Sequence, residues 1–117
     1  MSAAMKNRDW DSHPTPLRYL YESSARQRLV DFFLEFGAQW EEGDDPLTKK
    51  DIIQITDMQR RSVIDHIPVL VEMGVVKVNT EHRHDRYEPH VESEPFNTLI
   101  HANNTLGEYY EKQHSEE

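Results

Sequence analysis

The stretch Leu47–Gly74, LTKKDIIQITDMQRRSVIDHIPVLVEMG, constrains the chain more than any other. Its apolar period breaks once and resumes, which predicts two helices joined by a tight turn, the second the longer and amphipathic. Thr48 is followed three residues later by Asp51, a capping-box variant that satisfies free N–H groups at a helix start. Leu47 before that cap and Ile52 at the fourth helical position are placed for a hydrophobic staple. Ile52 and Ile55 give the short helix one apolar edge. Asp57 is a residue type that tolerates the left-handed conformation of a sharp turn, and Met58 is placed to plug the angle between the helices. The period resumes at Val63, Ile67 and Leu70 and stops at Gly74, a natural residue just past a helix end. Pro68 interrupts this second helix. It cannot donate to the carbonyl of Ile64, so the helix is expected to continue to Met73 with a bend near Ile64.

A chain of 117 residues has room for one modest core. No apolar run is long enough to span a bilayer and the N-terminus lacks the apolar core of a signal peptide, so the expected location is the cytoplasm. With no cysteine, disulfides, thiol redox sensing and thiolate metal sites are excluded. The formal net charge is −9, from 13 Lys and Arg against 22 Asp and Glu. That charge is unevenly placed. Leu47 to His90 holds seven basic and seven acidic residues, and the rest of the chain holds the whole excess. A neutral central segment on an acidic body is compatible with DNA without being the usual basic footprint.

Residues 1–16 show no periodicity and end in Ser-His-Pro-Thr-Pro, which reads as a flexible arm, with Trp10 a candidate to dock. Leu17 to Tyr21 is a short apolar element. Ser24 to Gln27 matches a capping box, and Leu29, Phe32, Phe33 and Phe36 form the stripe of a core helix that Gly37 is expected to end. Ala38 to Pro46 is an acidic loop without the twelve-residue calcium pattern. Val75 to Asn79 and Arg86 to Val91 read as two strands around a polar tip, Thr80 to Asp85, with Pro89 marking an edge. Ser93-Glu94-Pro95 opens a last helix, residues 93–112, whose face of Phe96, Leu99, Ile100, Asn103, Leu106 and Tyr110 exceeds what so small a domain covers. That face, helped by Leu17 and Leu20, predicts a homodimer. Gly107 weakens the helix and offers room for another backbone. Residues 113–117 are expected to fray.

The order helix, helix, turn, helix, strand, strand, helix resembles the winged helix-turn-helix transcription regulators of prokaryotes, and within them the small dimeric regulators of halophilic archaea. The resemblance runs from about Pro16 to Tyr110. It is carried by Ser23-Ser24-Ala25-Arg26-Gln27-Arg28-Leu29, Pro46-Leu47-Thr48-Lys49-Lys50-Asp51-Ile52, Met58-Gln59-Arg60-Arg61-Ser62-Val63, Leu70 to Val76, and Tyr87. Asp57 stands where the family commonly has a turn glycine, and Pro68 inside the longer helix is a second departure. Acidity, an excess of Arg over Lys and the absence of Cys fit a salt-loving host. The resemblance implies a mainly α fold with a two-stranded β-wing: a winged helix-turn-helix domain over residues 17–92 plus a C-terminal dimerisation helix. It also implies a sequence-specific regulator of double-stranded DNA.

On that footing the first turns of the longer central helix enter the major groove, where Gln59, Arg60, Arg61, Ser62 and Asp65 lie off the core line. Arg suits guanine and Gln suits adenine. Lys49 and Lys50 are placed for phosphate, and His82, Arg83, His84 and Arg86 on the wing for backbone or minor groove. At high salt, cations bound between carboxylates and phosphates are a further expected partner. A metal-responsive regulator is a third reading, with His82, His84 and His101 as weak candidates, but no third ligand has suitable spacing. No metal and no other cofactor is therefore expected. His66, between Ile64 and Ile67, reads as a buried or groove-lining helix residue. No phosphate loop, nucleophile elbow or paired-carboxylate cleft supports an enzyme. The competing reading is a winged helix used as a protein-interaction module in a transcription or replication assembly.

Overall fold

The computed structural model describes residues 15–115, so Trp10 and nearly all of the expected arm lie outside the described residues. Among the described residues, five helices and one two-stranded antiparallel sheet follow in the order α1 (Pro16–Leu20), α2 (Ser24–Ala38), α3 (Lys49–Thr56), α4 (Arg60–Glu72), β1 (Val76–Asn79), β2 (Arg86–Pro89) and α5 (Glu94–His114). Pro16 belongs to α1, where its missing N–H costs nothing, with Thr15 capping the first turn. Among the described residues no helix is long and apolar enough to cross a membrane.

The central pair forms as its caps dictate. Thr48 and Asp51 make both bonds of the capping box, each at 3.1 Å. α3 ends on Asp57 in the left-handed conformation, φ 57° and ψ 30°, and Met58 behind it is buried. Val63, Ile67 and Leu70 of α4 meet Leu29, Val30 and Phe33 of α2 and Ile52 of α3 in one core, all of them essentially inaccessible. α4 passes through Pro68, whose ring lies on its exposed side, and ends with Met73 as its cap. A Schellman closure follows. The Gly74 N–H donates to Val71 O at 3.2 Å and the Val75 N–H to Leu70 O at 2.9 Å, with Gly74 at φ 82°. Val75 is therefore the buried residue that closes the helix and not the first of the strand, which begins at Val76.

β1 and β2 pair with Val76 opposite Pro89 and Asn79 opposite Arg86. Tyr87 turns both main-chain groups away from β1 and exchanges two hydrogen bonds with Leu47, at 2.8 and 2.6 Å. By the alternation of a strand, the nitrogen of Pro89 also faces away from β1, so the proline costs the ladder nothing. β2 ends there and not at Val91; His90 instead donates to Val75 O.

Three further expectations are corrected. Ser23, not Ser24, caps α2, accepting from the Arg26 N–H at 3.2 Å, while the Gln27 side chain donates to Tyr21 O. Gly37 does not end α2; it lies inside the last turn as a notch for Phe96, whose ring tip would overlap a Cβ added there. α5 does not fray at Lys112: it runs to His114, and the Ser115 N–H donates to Glu111 O. A Cβ added at Gly107 meets nothing within 4 Å among the described residues.

Two effects compete at Gly37. Alanine favours an exposed helix by about 1 kcal/mol over glycine, whereas overpacking a filled core costs about 1–3 kcal/mol. The overlap with Phe96 decides it, so Gly37→Ala should lower the urea midpoint. In a Phe96→Leu background, where the ring is gone, the same substitution should be neutral or stabilising. Equal destabilisation in both backgrounds would show that Phe96 does not fill the notch.

Candidate nucleic-acid interface

The first turn of α3, the first turn of α4 and the far end of the hairpin converge on one groove. Thr48, Lys49, Lys50, Arg60, His84, Asp85 and Tyr87 line it. Each arrives by local rules. The capping box fixes where α3 starts and so presents Lys49 and Lys50. The left-handed Asp57 turns the chain so that α4 starts at Arg60 beside them. The Leu47–Tyr87 exchange holds β2 against the start of α3, with Lys49 Nζ 5.9 Å from the Tyr87 ring centroid. Three fixed cations and an imidazole thus share a groove with the single carboxylate of Asp85. Such a groove suits an anionic ligand, and the N–H groups at both helix starts add to the same field.

The remaining candidates are placed as follows. Gln59 is the N-cap of α4 but its side chain makes no capping bond, and it is exposed with Arg60 and Arg61. Arg61 Nε pairs with Asp65 Oδ2 at 3.3 Å across one exposed turn, an interaction weak enough to exchange for another partner. Ser62 is half-buried. His82 and Arg83 are exposed at the hairpin tip, outside the groove lining. Arg86 is half-buried, and its Nε is shielded from solvent with no hydrogen-bond partner among the described residues. His101 is exposed on α5, distant in sequence from His82 and His84, and among the described residues no three His, Asp or Glu groups converge as a metal site would require.

On the dimer candidates the structure divides the expected face. Leu20 and Phe96 are buried in the chain's own core, so neither is available to a partner. Ile100 and Asn103 turn toward α2, lining a hollow with Asn104, Leu34 and Ala38. Leu17, Leu106 and Tyr110 are exposed, and Tyr109, absent from the sequence reading, is exposed with them. Leu99 is half-buried.

A polar hub behind α4 also escaped the sequence reading. Arg26 of α2 is only 6% exposed. It donates through Nη1 to Tyr19 O at 2.6 Å and through Nε to His66 Nδ1 of α4 at 3.2 Å, and it pairs with Glu22 at 3.1 Å. Its guanidinium lies 5.1 Å from the Tyr19 ring centroid. The signal was available: Arg26 stands three residues before Leu29, on the buried stripe of α2. His66 is half-buried as expected. Its acceptor role requires the neutral ring, and burial first, then Arg26, hold its pKa below the ordinary 6.5.

Comparison with protein-family models, with curated proteins and with solved structures finds no match to this chain.

His66 makes stability depend on pH in a definite direction. Above pH 6.5 the ring is neutral in folded and unfolded chains alike, and the bond to Arg26 is intact. Below it the unfolded chain takes up a proton that the folded chain resists, so stability falls with pH until the lowered folded pKa is passed. His66→Gln keeps an acceptor for Arg26 and cannot titrate. Urea denaturation between pH 7.5 and 5 should therefore show a shallower decline in the variant, and identical slopes would remove His66 as the cause.

Proposed function

We propose that this chain is a winged helix-turn-helix regulator that binds double-stranded DNA sequence-specifically as a homodimer. The observation that carries the reading is the convergence of Lys49, Lys50, Arg60 and His84 on one groove between two helix starts and a hairpin. In this reading α4 is the recognition helix and enters the major groove by its first turns, and the hairpin is the wing. Lys49 and Lys50 meet phosphate and fix the register without reading sequence. Gln59, Arg60 and Arg61 read base edges, Arg61 exchanging Asp65 for a guanine. Ser62 and Asp65 border the same surface. His82, Arg83, His84 and Arg86 lie against backbone or minor groove.

A second reading, an interaction module within a larger assembly, is favoured by the net charge of −9. The two differ in what removing Arg60 and Arg61 should do. In selection from a random duplex pool, the DNA reading expects a defined sequence for the wild type. It expects loss of sequence preference for Arg60→Ala with Arg61→Ala, with residual affinity kept by Lys49 and Lys50. Retained specificity in that variant would remove α4 as the reading element, and no enrichment by the wild type would favour the interaction module.

Salt dependence follows from the same placement. A basic regulator loses affinity with a slope of about −0.9 per phosphate neutralised, because it releases condensed cations. Here Asp51, Asp57 and Asp65 stand within four residues of Lys50, Arg60 and Arg61 in the sequence, and the dimer carries twice the formal −9 of each chain. Cations held between these carboxylates and the phosphates relieve the repulsion, so binding takes up ions as well as releasing them. Titration of the selected duplex from low to multimolar KCl should give a shallow or positive dependence. A steep negative slope throughout would sink the cation-uptake idea and leave DNA binding standing.

A further inference from the structure

α1 is fastened to α4 apart from the main core. Of its five residues, Tyr19 and Leu20 are the buried ones. Leu20 belongs to the main core, next to the turn into α2. Tyr19 instead forms a second cluster with Val69 of α4, against which Met73 packs. Arg26 holds Tyr19 twice more, by Nη1 on Tyr19 O at 2.6 Å and by its guanidinium 5.1 Å from the ring centroid. Arg26 is in turn held by His66 Nδ1 at 3.2 Å and by Glu22 at 3.1 Å. The turn after α1 stays with α2, through the Ser23 cap and the Gln27 side chain on Tyr21 O. α1 therefore has a pivot at Leu20 and Tyr21 and a fastening at Tyr19, and the fastening runs through the imidazole of α4. So short a helix holds no structure without such contacts.

We propose that His66 is a proton-operated latch: protonation of its ring releases Tyr19 and swings α1 off α4 about Leu20, while the main core stays closed. The neutral ring accepts the Arg26 Nε–H at Nδ1. A protonated ring has no lone pair to offer there and sets a second cation against the guanidinium. Arg26 cannot leave His66 and keep its place on Tyr19 O, because Nε and Nη1 belong to one rigid planar group. The charges acting on the ring are Arg26 from α2, Asp65 beside it on α4, and Glu22 from the turn between α1 and α2. α1 brings the Tyr19 ring, and its own charge, Arg18, is exposed. The two carboxylates favour a charged ring, but Asp65 is paired with Arg61 and Glu22 with Arg26, and burial and Arg26 outweigh them. The closed hub thus resists the proton, and by linkage protons open it below the ordinary 6.5. Opening uncovers Val69 and takes Pro16 and Leu17 away from the apolar groove that Met73, Pro95 and Leu99 also line. The latch is independent of what α4 binds.

Methyl and aromatic NMR on the full chain reads the latch. At pH 7.5 the Val69 methyls should show contacts to the Tyr19 ring, and the Val63 and Leu70 methyls should show theirs within the main core. Between pH 6.5 and 5 the Val69–Tyr19 contacts should fade while those of Val63 and Leu70 persist. Loss of one hydrogen bond from a charged donor corresponds to about tenfold to hundredfold in the opening equilibrium, enough to read in this way. His66→Gln keeps an acceptor for Arg26 and cannot titrate, so it should hold the Val69–Tyr19 contacts throughout the same range. Contacts that survive at pH 5 in the wild type would overturn the latch. So would their loss in His66→Gln at the pH where the wild type loses them, because the proton would then act elsewhere. Simultaneous loss of the core contacts in the wild type would make the transition global and overturn α1 as a separately released element.

Discussion

The two main-chain hydrogen bonds between Leu47 and Tyr87 join the hairpin to the start of α3, and so close one side of the groove. Each such bond contributes only about 0.5–1.5 kcal/mol net. Their weight here is geometric, because Val76, Tyr87 and Pro89 already bury the two-stranded ribbon against the helices and the Leu47 bonds set where it meets α3. Pinning β2 to the residue just before the α3 cap converts that ribbon into one wall of the groove. The other wall is α3 and α4, set by the Thr48–Asp51 cap and the left-handed Asp57. A shift at either place would separate His84 and Asp85 from Lys49, Lys50 and Arg60.

Behind the groove, α4 is held by two kinds of contact. Val63, Ile67 and Leu70 bury their side chains against α2 and α3, non-directionally. Arg26 adds direction: its fork is shared between Tyr19 O, Glu22 and His66, so α1, α2 and α4 are tied through one buried cation. A buried charge is tolerated only when paired and fully bonded. That explains why the hub combines a carboxylate, a carbonyl, a neutral imidazole and an aromatic face. The far end of α4 is fixed in turn by Gly74, whose carbonyl accepts from the Ser93 hydroxyl that caps α5.

The elements governed by near-neighbour chemistry were legible in the sequence. The capping box, the Asp57 turn, the Val63–Ile67–Leu70 seam, the Gly74 stop and the hairpin all depend on residues within one or two turns of each other. What was misread depends on distance. Gly37 looks like a helix stop until Phe96, nearly sixty residues on, is seen to need its missing Cβ. Periodicity predicts one apolar stripe on α5, but only the position of α2 shows that Phe96 and Ile100 turn inward while Tyr109 turns out. Val75 is the local exception: it is a strand-like residue type, but its N–H closes α4 on Leu70 O, five residues back. The groove residues were found by position in the chain; their convergence with Tyr87 and Asp85 required the Leu47 pairing.

Charge is the remaining constraint, and its range settles how an acidic chain can present a basic groove. Between exposed groups, electrostatic influence dies away over about 10 Å at 0.1 M salt and about 3 Å at 1 M. At low salt a ligand approaching the groove feels the whole formal −9 of the chain, most of it carried outside Leu47 to His90. At molar salt it feels only what it touches, which is Lys49, Lys50, Arg60 and His84 with the lone carboxylate of Asp85. The body's acidity then ceases to oppose an anion at the groove, while the contact cations, lying at hydrogen-bond range, keep their effect. The distribution of charge therefore leaves the groove's own side chains, and not the net charge, to decide how it meets an anion once salt has screened the body.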